Sequence, residues 1–282
     1  LMARPWSWTT SASRPEAGFR GAAGLYDPAA LPFLHSKSKA SILSRRSRSY
    51  RHAVPDPVIV KSMFGRIARR YDLLNRVLSA GIDQAWRRAT VRAAGPVEGE
   101  VGIDLCCGTG DLALAFEKAG ASVIGLDFTP EMLPLAKGKG EKRSGKLCFG
   151  QADALQVPAR TNGAAFSSVS FGIRNVEDRG RCLQEMERIT RPGGRVLVLE
   201  FSMPPGFILG FLYRTYFTKV LPTIGRLVSK DDDAYSYLPR TVLAWPDPET
   251  FQGELEAAGL QDCGYRLLTR GIAALHWGNV AS

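Results

Sequence analysis

Two carboxylates flank a glycine turn in the middle of the chain. Asp104 sits in a short apolar run with Val101, Ile103 and Leu105, four residues before Gly108, and Asp127 ends the next apolar run, Ala121 to Leu126. Between them Cys106-Cys107-Gly108-Thr109-Gly110-Asp111 breaks the pattern, and Leu112, Leu114, Ala115 and Phe116 resume at helical spacing. The spacing predicts a strand-loop-helix unit. Gly108 and Gly110 can adopt backbone angles closed to other residues and let a ligand approach the main chain, so a nucleotide-like occupant is expected. With Ala113 the same glycines fit the G-x-G-x-x-G/A dinucleotide pattern, which keeps NAD open on spacing alone. Asp104 shifts the balance. Facing the crevice at the carboxyl end of a parallel strand, its carboxylate would repel a pyrophosphate but accept hydrogen bonds from the ammonium group of S-adenosylmethionine. Asp127 is placed to take both ribose hydroxyls, a role equally open to it with NAD.

The elements that must hold these groups are legible on both sides. Val58 to Ala68 has helical spacing, followed by Tyr71-Asp72-Leu73-Leu74-Asn75 and a second helix from Asp83, a candidate N-cap, through Trp86 to Ala94. Helices ahead of the first strand can cover the crevice, with Tyr71 and Trp86 as lid residues or as core packing. After Asp127, Pro130 suits a helix start, and Met132 either lies against an adenine ring or fills the core. A third apolar run, Leu147 to Phe149, precedes Asp153, which at a strand end could bond the adenine amino group. The fourth strand, Ala164 to Phe171, enters Gly172-Ile173-Arg174-Asn175-Val176. A helix from Arg179 to Thr190 then stops at Arg191-Pro192-Gly193-Gly194, and Val196 to Phe201 is an apolar fifth strand. Residues 263 to 277 read as a closing hairpin around Thr269-Arg270-Gly271. Strand-helix alternation predicts an α/β fold with a doubly wound, mostly parallel, Rossmann-like sheet.

The chain has 282 residues and a net charge of +10, which at first suggests nucleic acid. The distribution says otherwise: residues 1 to 54 hold nine Lys/Arg against Glu16 and Asp27, so +7 lies there. No Asn/Asp-Pro-Pro-Tyr motif follows the fourth strand, and a nucleic-acid partner is not expected. Residues 1 to 54 are Ser/Arg-rich and acid-poor, the composition of an organellar transit peptide for plastid or mitochondrion, or else of a disordered basic arm; residues 55 to 282 form the expected catalytic domain. The five cysteines lack C-x-x-C spacing and read as small buried residues, with no metal site indicated. His35 and His52 lie in the tail and His276 ends an apolar strand, so a hydrolytic triad lacks its base.

Seven stretches together resemble the ubiquinone/menaquinone biosynthesis C-methyltransferase family, from about residue 58 to the end. They are Tyr71-Asp-Leu-Leu-Asn75, Asp104 to Asp111, Phe171-Gly-Ile-Arg-Asn-Val176, Arg191-Pro-Gly-Gly194, Leu199-Glu-Phe-Ser202, Tyr235-Ser-Tyr-Leu-Pro239 and Gly271-Ile-Ala-Ala-Leu-His276. The resemblance implies an S-adenosylmethionine-dependent fold of class I and methylation of a ring carbon on a prenylated quinol. By matching motif it implies donor contacts at Thr109, Asp127, the Asp153-Ala154 pair and Ser170. The chain departs from the family pattern at Cys106-Cys107, which is similar to the phylloquinone branch, at Asp83, where many members have His, and at residues 158 to 166, which lack the usual acids.

For such an acceptor the chemistry needs a neighbouring hydroxyl deprotonated, so that the ring carbon attacks the sulfonium methyl in line. The enzyme positions the reactants and stabilises the phenolate. Arg174 is expected either to stabilise that oxyanion or to form a structural salt bridge, with Asn175 and Tyr71 orienting the quinol or a water. Residues 203 to 230, rich in apolar and basic side chains, suit a helical cover that accepts an isoprenoid tail and rests on an anionic membrane, or a core helix. A homodimer or a quinone-biosynthesis complex is a further expectation. An NAD-dependent oxidoreductase and a noncatalytic binding protein are the alternative functions.

Overall fold

The computed structural model describes residues 57–141, 146–216 and 232–282, so the expectations placed on residues 1 to 54 and on 217 to 230 lie outside the described residues. Two helices lead in, α1 (Pro57–Leu78) and α2 (Asp83–Ala93), followed by β1 (Val101–Leu105), α3 (Asp111–Lys118), β2 (Ser122–Asp127), α4 (Leu133–Gly140), β3 (Leu147–Gln151) and β4 (Ala164–Ser170). A 3₁₀ turn (Ile173–Asn175) leads to α5 (Arg179–Ile189), β5 (Thr190–Phe201), α6 (Phe207–Thr215), α7 (Asp232–Leu243), α8 (Pro248–Ala257), β6 (Gln261–Leu268) and β7 (Ala273–Asn279).

The strand order is β3-β2-β1-β4-β5-β7-β6, parallel from β3 to β5, with β7 antiparallel to both β5 and β6. The order in which strands are added reverses between the parallel neighbours β1 and β4, which opens a crevice at their carboxyl ends where ligands bind in sheets of this kind. Apolar side chains cover both faces. Ile103, Leu105, Val169, Val198 and Met186 belong to one layer; Leu112, Phe116, Val123, Phe166 and Leu197 belong to the other. A third cluster joins Val60 and Met63 of α1, Tyr213 of α6, and Tyr237 and Val242 of α7. This cap over the carboxyl ends is the described part of the cover expected from residues 203 to 230.

Several boundaries differ from expectation for identifiable reasons. The first helix runs on to Leu78 because no Gly or Pro interrupts residues 66–79; Ala80 and Gly81, at φ 49° and 76°, end it. Asp83 is not the cap of α2. Ile82 holds that place, and the buried Asp83 carboxylate accepts from the Ser79 hydroxyl at 2.9 Å and pairs with Arg87, one turn on, at 3.6 Å. Pro130 opens a turn closed by the Leu133 amide on its carbonyl, and α4 starts at Leu133, with Pro134 in its first turn. Asp178 caps α5 as a helix starting at Arg179 requires, its side chain accepting from the Arg181 amide at 2.9 Å. Pro192-Gly193-Gly194 ends no element: β5 already begins at Thr190 and absorbs these residues in a register shift opposite Ala164 to Phe166, where a side chain at Gly194 would lie 2.6 Å from the Ala165 carbonyl.

His276 lies inside β7, fully buried, and its Nε2–H donates to the Pro248 carbonyl at 3.0 Å; burial holds its pKa down to about 4. Cys182 is buried as expected, whereas Cys148 is exposed, because alternate β3 side chains face opposite ways and Phe149 takes the inward place. Among the described residues no group of three His, Cys, Asp or Glu could hold a metal.

Candidate active site

The turn after β1 is built from left-handed backbone: Cys106 at φ 50°, Gly108 at 56° and Gly110 at 82°. The two glycines serve different ends. A Cβ on Gly110 would strike the Phe149 ring at 2.9 Å, so that glycine serves packing beneath the loop. A Cβ on Gly108 would meet only the Tyr71 ring edge, at 3.8 Å, and this face of the backbone lines the cavity. The Gly108 amide donates to Asp127 Oδ2 at 2.7 Å and the Thr129 amide to Oδ1 at 2.8 Å. These two bonds fix the Asp127 carboxylate at the end of β2 while leaving it acceptor capacity toward the cavity. Burial raises its pKa, and the bonds from Thr129 and Gly108 act against that rise.

The cavity, with its open mouth counted, encloses about 950 Å³ of free space. Of the twelve predicted site residues, Tyr71, Gly108, Asp127, Met132, Asp153, Ala154 and Asn175 line it together. Asp153 Oδ1 accepts from the Leu155 amide at 2.9 Å, so that carboxylate shapes the turn after β3. Burial raises the pKa of the Tyr71 hydroxyl, opposed by its bond with Asn75 and by the charges of Arg174 and Arg87. An S-adenosylmethionine fits this donor set. Asp127 offers a fixed pair of acceptors for vicinal hydroxyls, Met132 and Leu155 offer apolar surface for a purine, and the bare Gly108 backbone leaves room beside them.

The other five are held outside the cavity wall. Thr109 is buried; its hydroxyl donates to Asp72 Oδ1 at 2.5 Å and accepts from Lys139 at 3.0 Å. Lys139 pairs with both Asp72 and Asp111, and Arg76 pairs with Asp111, so the loop is tied to α1 and α4. Gly110 rests on Phe149 as described, and Ser170 accepts from Arg87 Nη1 at 2.9 Å. Arg174 is buried behind Asn175: its Nη1 donates to the Phe171 carbonyl at 2.6 Å and to Glu200 Oε1 at 2.5 Å. Burial raises the Glu200 pKa and the Arg174 charge opposes this; Arg174 Nε and Glu200 Oε2 are buried without hydrogen-bond partners. Asn175 faces the cavity, and its Oδ1 accepts from the Tyr237 hydroxyl at 2.7 Å. Burial pushes the Tyr237 pKa up to about 12.

Asp104 is 1% exposed, below the loop, with Oδ1 accepting from Ser168 at 2.8 Å and Oδ2 buried without a partner. Burial raises its pKa from 3.8 to about 7, opposed by the Ser168 hydroxyl. The folded state therefore holds a proton that the unfolded chain releases above pH ~4, so Asp104 makes stability fall as pH rises from about 4 to about 7. At ~1.4 kcal/mol per pKa unit, roughly 4 kcal/mol is at stake. Asp104→Asn should remove that slope, gaining stability on the wild type between pH 4.5 and 7.5 in urea unfolding; parallel pH curves would refute a neutral Asp104.

Sequence reasoning missed Thr129, Tyr237 and the partners that hold the site from behind, Arg87, Lys139 and Glu200. A signal existed for Thr129, two residues after Asp127, where an aspartate side chain commonly accepts from the backbone. Glu200 and Tyr237 stood inside the stretches 199–202 and 235–239 of the resemblance but without a role, and no signal marked Arg87 or Lys139. Arg87, Lys139, Glu200 and Tyr237 lie 83, 30, 26 and 62 residues from the groups they hold, Ser170, Thr109, Arg174 and Asn175.

The sequence matches the model of the ubiE/COQ5 methyltransferase family over residues 51–280. It is 45% identical over 219 residues to a demethylmenaquinone methyltransferase of Thermus thermophilus, covering 77% of this chain and 99% of that one. It is 42% identical to a ubiquinone/menaquinone biosynthesis C-methyltransferase of a Geobacter species, with 78% and 95% covered. Among solved structures, a methyltransferase from Thermotoga maritima described as a possible histamine N-methyltransferase shares the fold at TM-score 0.56 and 16% identity, over 77% of this chain and 98% of that one. A Haemonchus contortus phosphoethanolamine N-methyltransferase does so at 0.54 and 14%, over 70% and 52%.

These relatives overturn the organellar address expected from the first 54 residues. They are bacterial enzymes, which points to a cytoplasmic or membrane-peripheral place instead. Ser/Arg-rich composition is shared by any solvated basic arm and carries no address of its own. The oxidoreductase and noncatalytic readings find no support among the relatives. The chain belongs to the ubiE/COQ5 methyltransferase family and is an S-adenosylmethionine-dependent C-methyltransferase of quinone biosynthesis.

Proposed function

We propose that the acceptor is a prenylated quinol, of the demethylmenaquinol or polyprenyl-methoxybenzoquinol type, methylated on a ring carbon. The observation that carries this reading is the continuity of the cavity. Asp127 and Gly108, Asn175 and Phe171, and the α1 residues Val60, Phe64 and Tyr71 all line this one space. Val60 and Phe64 also belong to the cap of α1, α6 and α7, an apolar environment suited to an isoprenoid chain. The Thermus relative, named for demethylmenaquinone, and the Geobacter relative, named for ubiquinone and menaquinone, support a quinone-type acceptor. A phylloquinone-type naphthoquinol belongs to the same chemical class.

Bound at Asp127 and Gly108, S-adenosylmethionine supplies an electrophilic methyl group. The chain's own residues do the rest. Tyr71 and Asn175 orient the acceptor's ring oxygen, and the Arg174 charge behind them favours its phenolate form. Phe171 and Val60 keep water from the reacting carbon. A methylation assay offering benzoquinol and naphthoquinol acceptors side by side tests the reading. Methyl incorporation into either ring confirms it, the preferred ring naming the substrate, and incorporation into neither refutes it.

A tail-bearing quinol is dissolved in lipid, so the reading includes peripheral membrane contact. Val58 and Ile59 on the outer side of α1 are 73% and 63% exposed beside the cavity-lining Pro57 and Val60, and Phe211 on α6 is 62% exposed. Among the described residues no helix is long and apolar enough to cross a membrane. In vesicle flotation, Ile59→Glu combined with Phe211→Glu should cut recovery with anionic liposomes several-fold at unchanged melting temperature. Unchanged recovery would rule out this surface as the contact.

A further inference from the structure

We infer that Tyr237 is a positioning residue for the methyl acceptor: its hydroxyl donates to Asn175 Oδ1 and so turns the Asn175 amide nitrogen into the cavity as a hydrogen-bond donor to the acceptor's ring oxygen. The inference rests on the quinol reading above and adds what sets the polarity of the site. Asn175 closes the 3₁₀ turn after β4, where its own backbone amide donates to the Gly172 carbonyl at 2.9 Å, so the position of its Cα is fixed. What stays undetermined locally is the sense of the side-chain amide. Rotation by half a turn about its last bond exchanges oxygen and nitrogen at almost no steric cost, and only hydrogen-bond partners decide between the two.

The structure holds one such partner, the Tyr237 hydroxyl, carried by α7 from 62 residues away. A phenol can donate or accept, and this one donates to Oδ1 at 2.7 Å because its proton has no other acceptor among the described residues. Once Oδ1 is taken, Nδ2 is left with no protein partner among the described residues, on a side chain that lines the cavity. An NH₂ group presented there selects an oxygen with a lone pair, and it binds that oxygen more strongly as negative charge develops on it. Tyr237 is itself packed in the cap against α1, so the packing of the cap fixes the place of its hydroxyl.

A double-mutant cycle tests the inference. Tyr237→Phe keeps the ring in the cap and removes only the hydroxyl. It should lower kcat about tenfold, the worth of one oriented hydrogen bond, and move the rising limb of the kcat–pH profile up by about one pH unit. Affinity for S-adenosylhomocysteine, measured by calorimetry, should stay within twofold. Because Tyr237 acts through Asn175, the double variant Tyr237→Phe/Asn175→Ala should be no slower than Asn175→Ala alone. Multiplicative losses, an unmoved pH profile, or a loss explained by a lowered melting temperature and weakened donor binding would overturn the inference. An inactive wild type would refute the quinol reading itself, whereas an active wild type matched by Tyr237→Phe would refute only the role of Tyr237.

Discussion

Replacing Arg174 with Met should slow methyl transfer by about tenfold, because its charge acts on the acceptor oxygen from behind the cavity wall and not by contact, and should also destabilise the fold. The second effect follows from its partner. Glu200 is fully buried and paired with Arg174, so removing the guanidinium strands a carboxylate in the core, at about 3–5 kcal/mol. A single variant cannot separate the two effects. Adding Glu200→Gln removes the stranded charge and keeps an acceptor for the Phe201 amide, which now donates to Glu200 Oε1 at 2.9 Å. The double variant should regain most of the melting temperature and bind S-adenosylhomocysteine within a few-fold of wild type, yet remain slow. Should turnover return with stability, Arg174 serves only to neutralise Glu200.

The second large effect is expected at Asp127. Asp127→Ala should weaken donor binding by about 10² to 10³, the loss of two hydrogen bonds from ribose hydroxyls to a charged acceptor. The Gly108 and Thr129 amides would lose their common acceptor too, so the loop itself would loosen. Asp127→Asn separates the contributions. It retains one carbonyl oxygen, but its NH₂ must face one of two backbone donors, so it should fall between Ala and wild type in affinity with a nearly native melting temperature. Titration calorimetry with S-adenosylhomocysteine measures each step. Binding by Asp127→Ala within threefold of wild type would show that the ribose is held elsewhere.

Strands β1, β2 and β4 were legible in the chain because each is a short apolar run that breaks at or near a glycine or an acid. The runs at 101–105, 122–127 and 164–170 therefore appeared within a residue or two of their observed limits. The limits of the lead-in helices were less legible. Helical spacing says where an apolar face starts, and the exit of α1 depends instead on Ala80 and Gly81 taking positive φ. The register irregularity that lets Pro192-Gly193-Gly194 remain within β5 depends on its neighbours β4 and β7, and no local pattern announces it.

The same division runs through the site. The local sequence was enough to mark the glycine turn, the acid ending the second strand and the Gly-Ile-Arg-Asn segment after the fourth, because each needs only its own backbone geometry to reach the crevice. Which of those side chains face the cavity was decided by elements far away in the chain. Thr109 is drawn aside by Asp72 and Lys139, Ser170 by Arg87, and Arg174 by Glu200, while Asn175 stays at the wall with its oxygen held by Tyr237. Backbone conformation is a short-range property that the residues themselves encode. The direction of a polar side chain in a buried site is set by whichever partner satisfies it, and only folding brings that partner near.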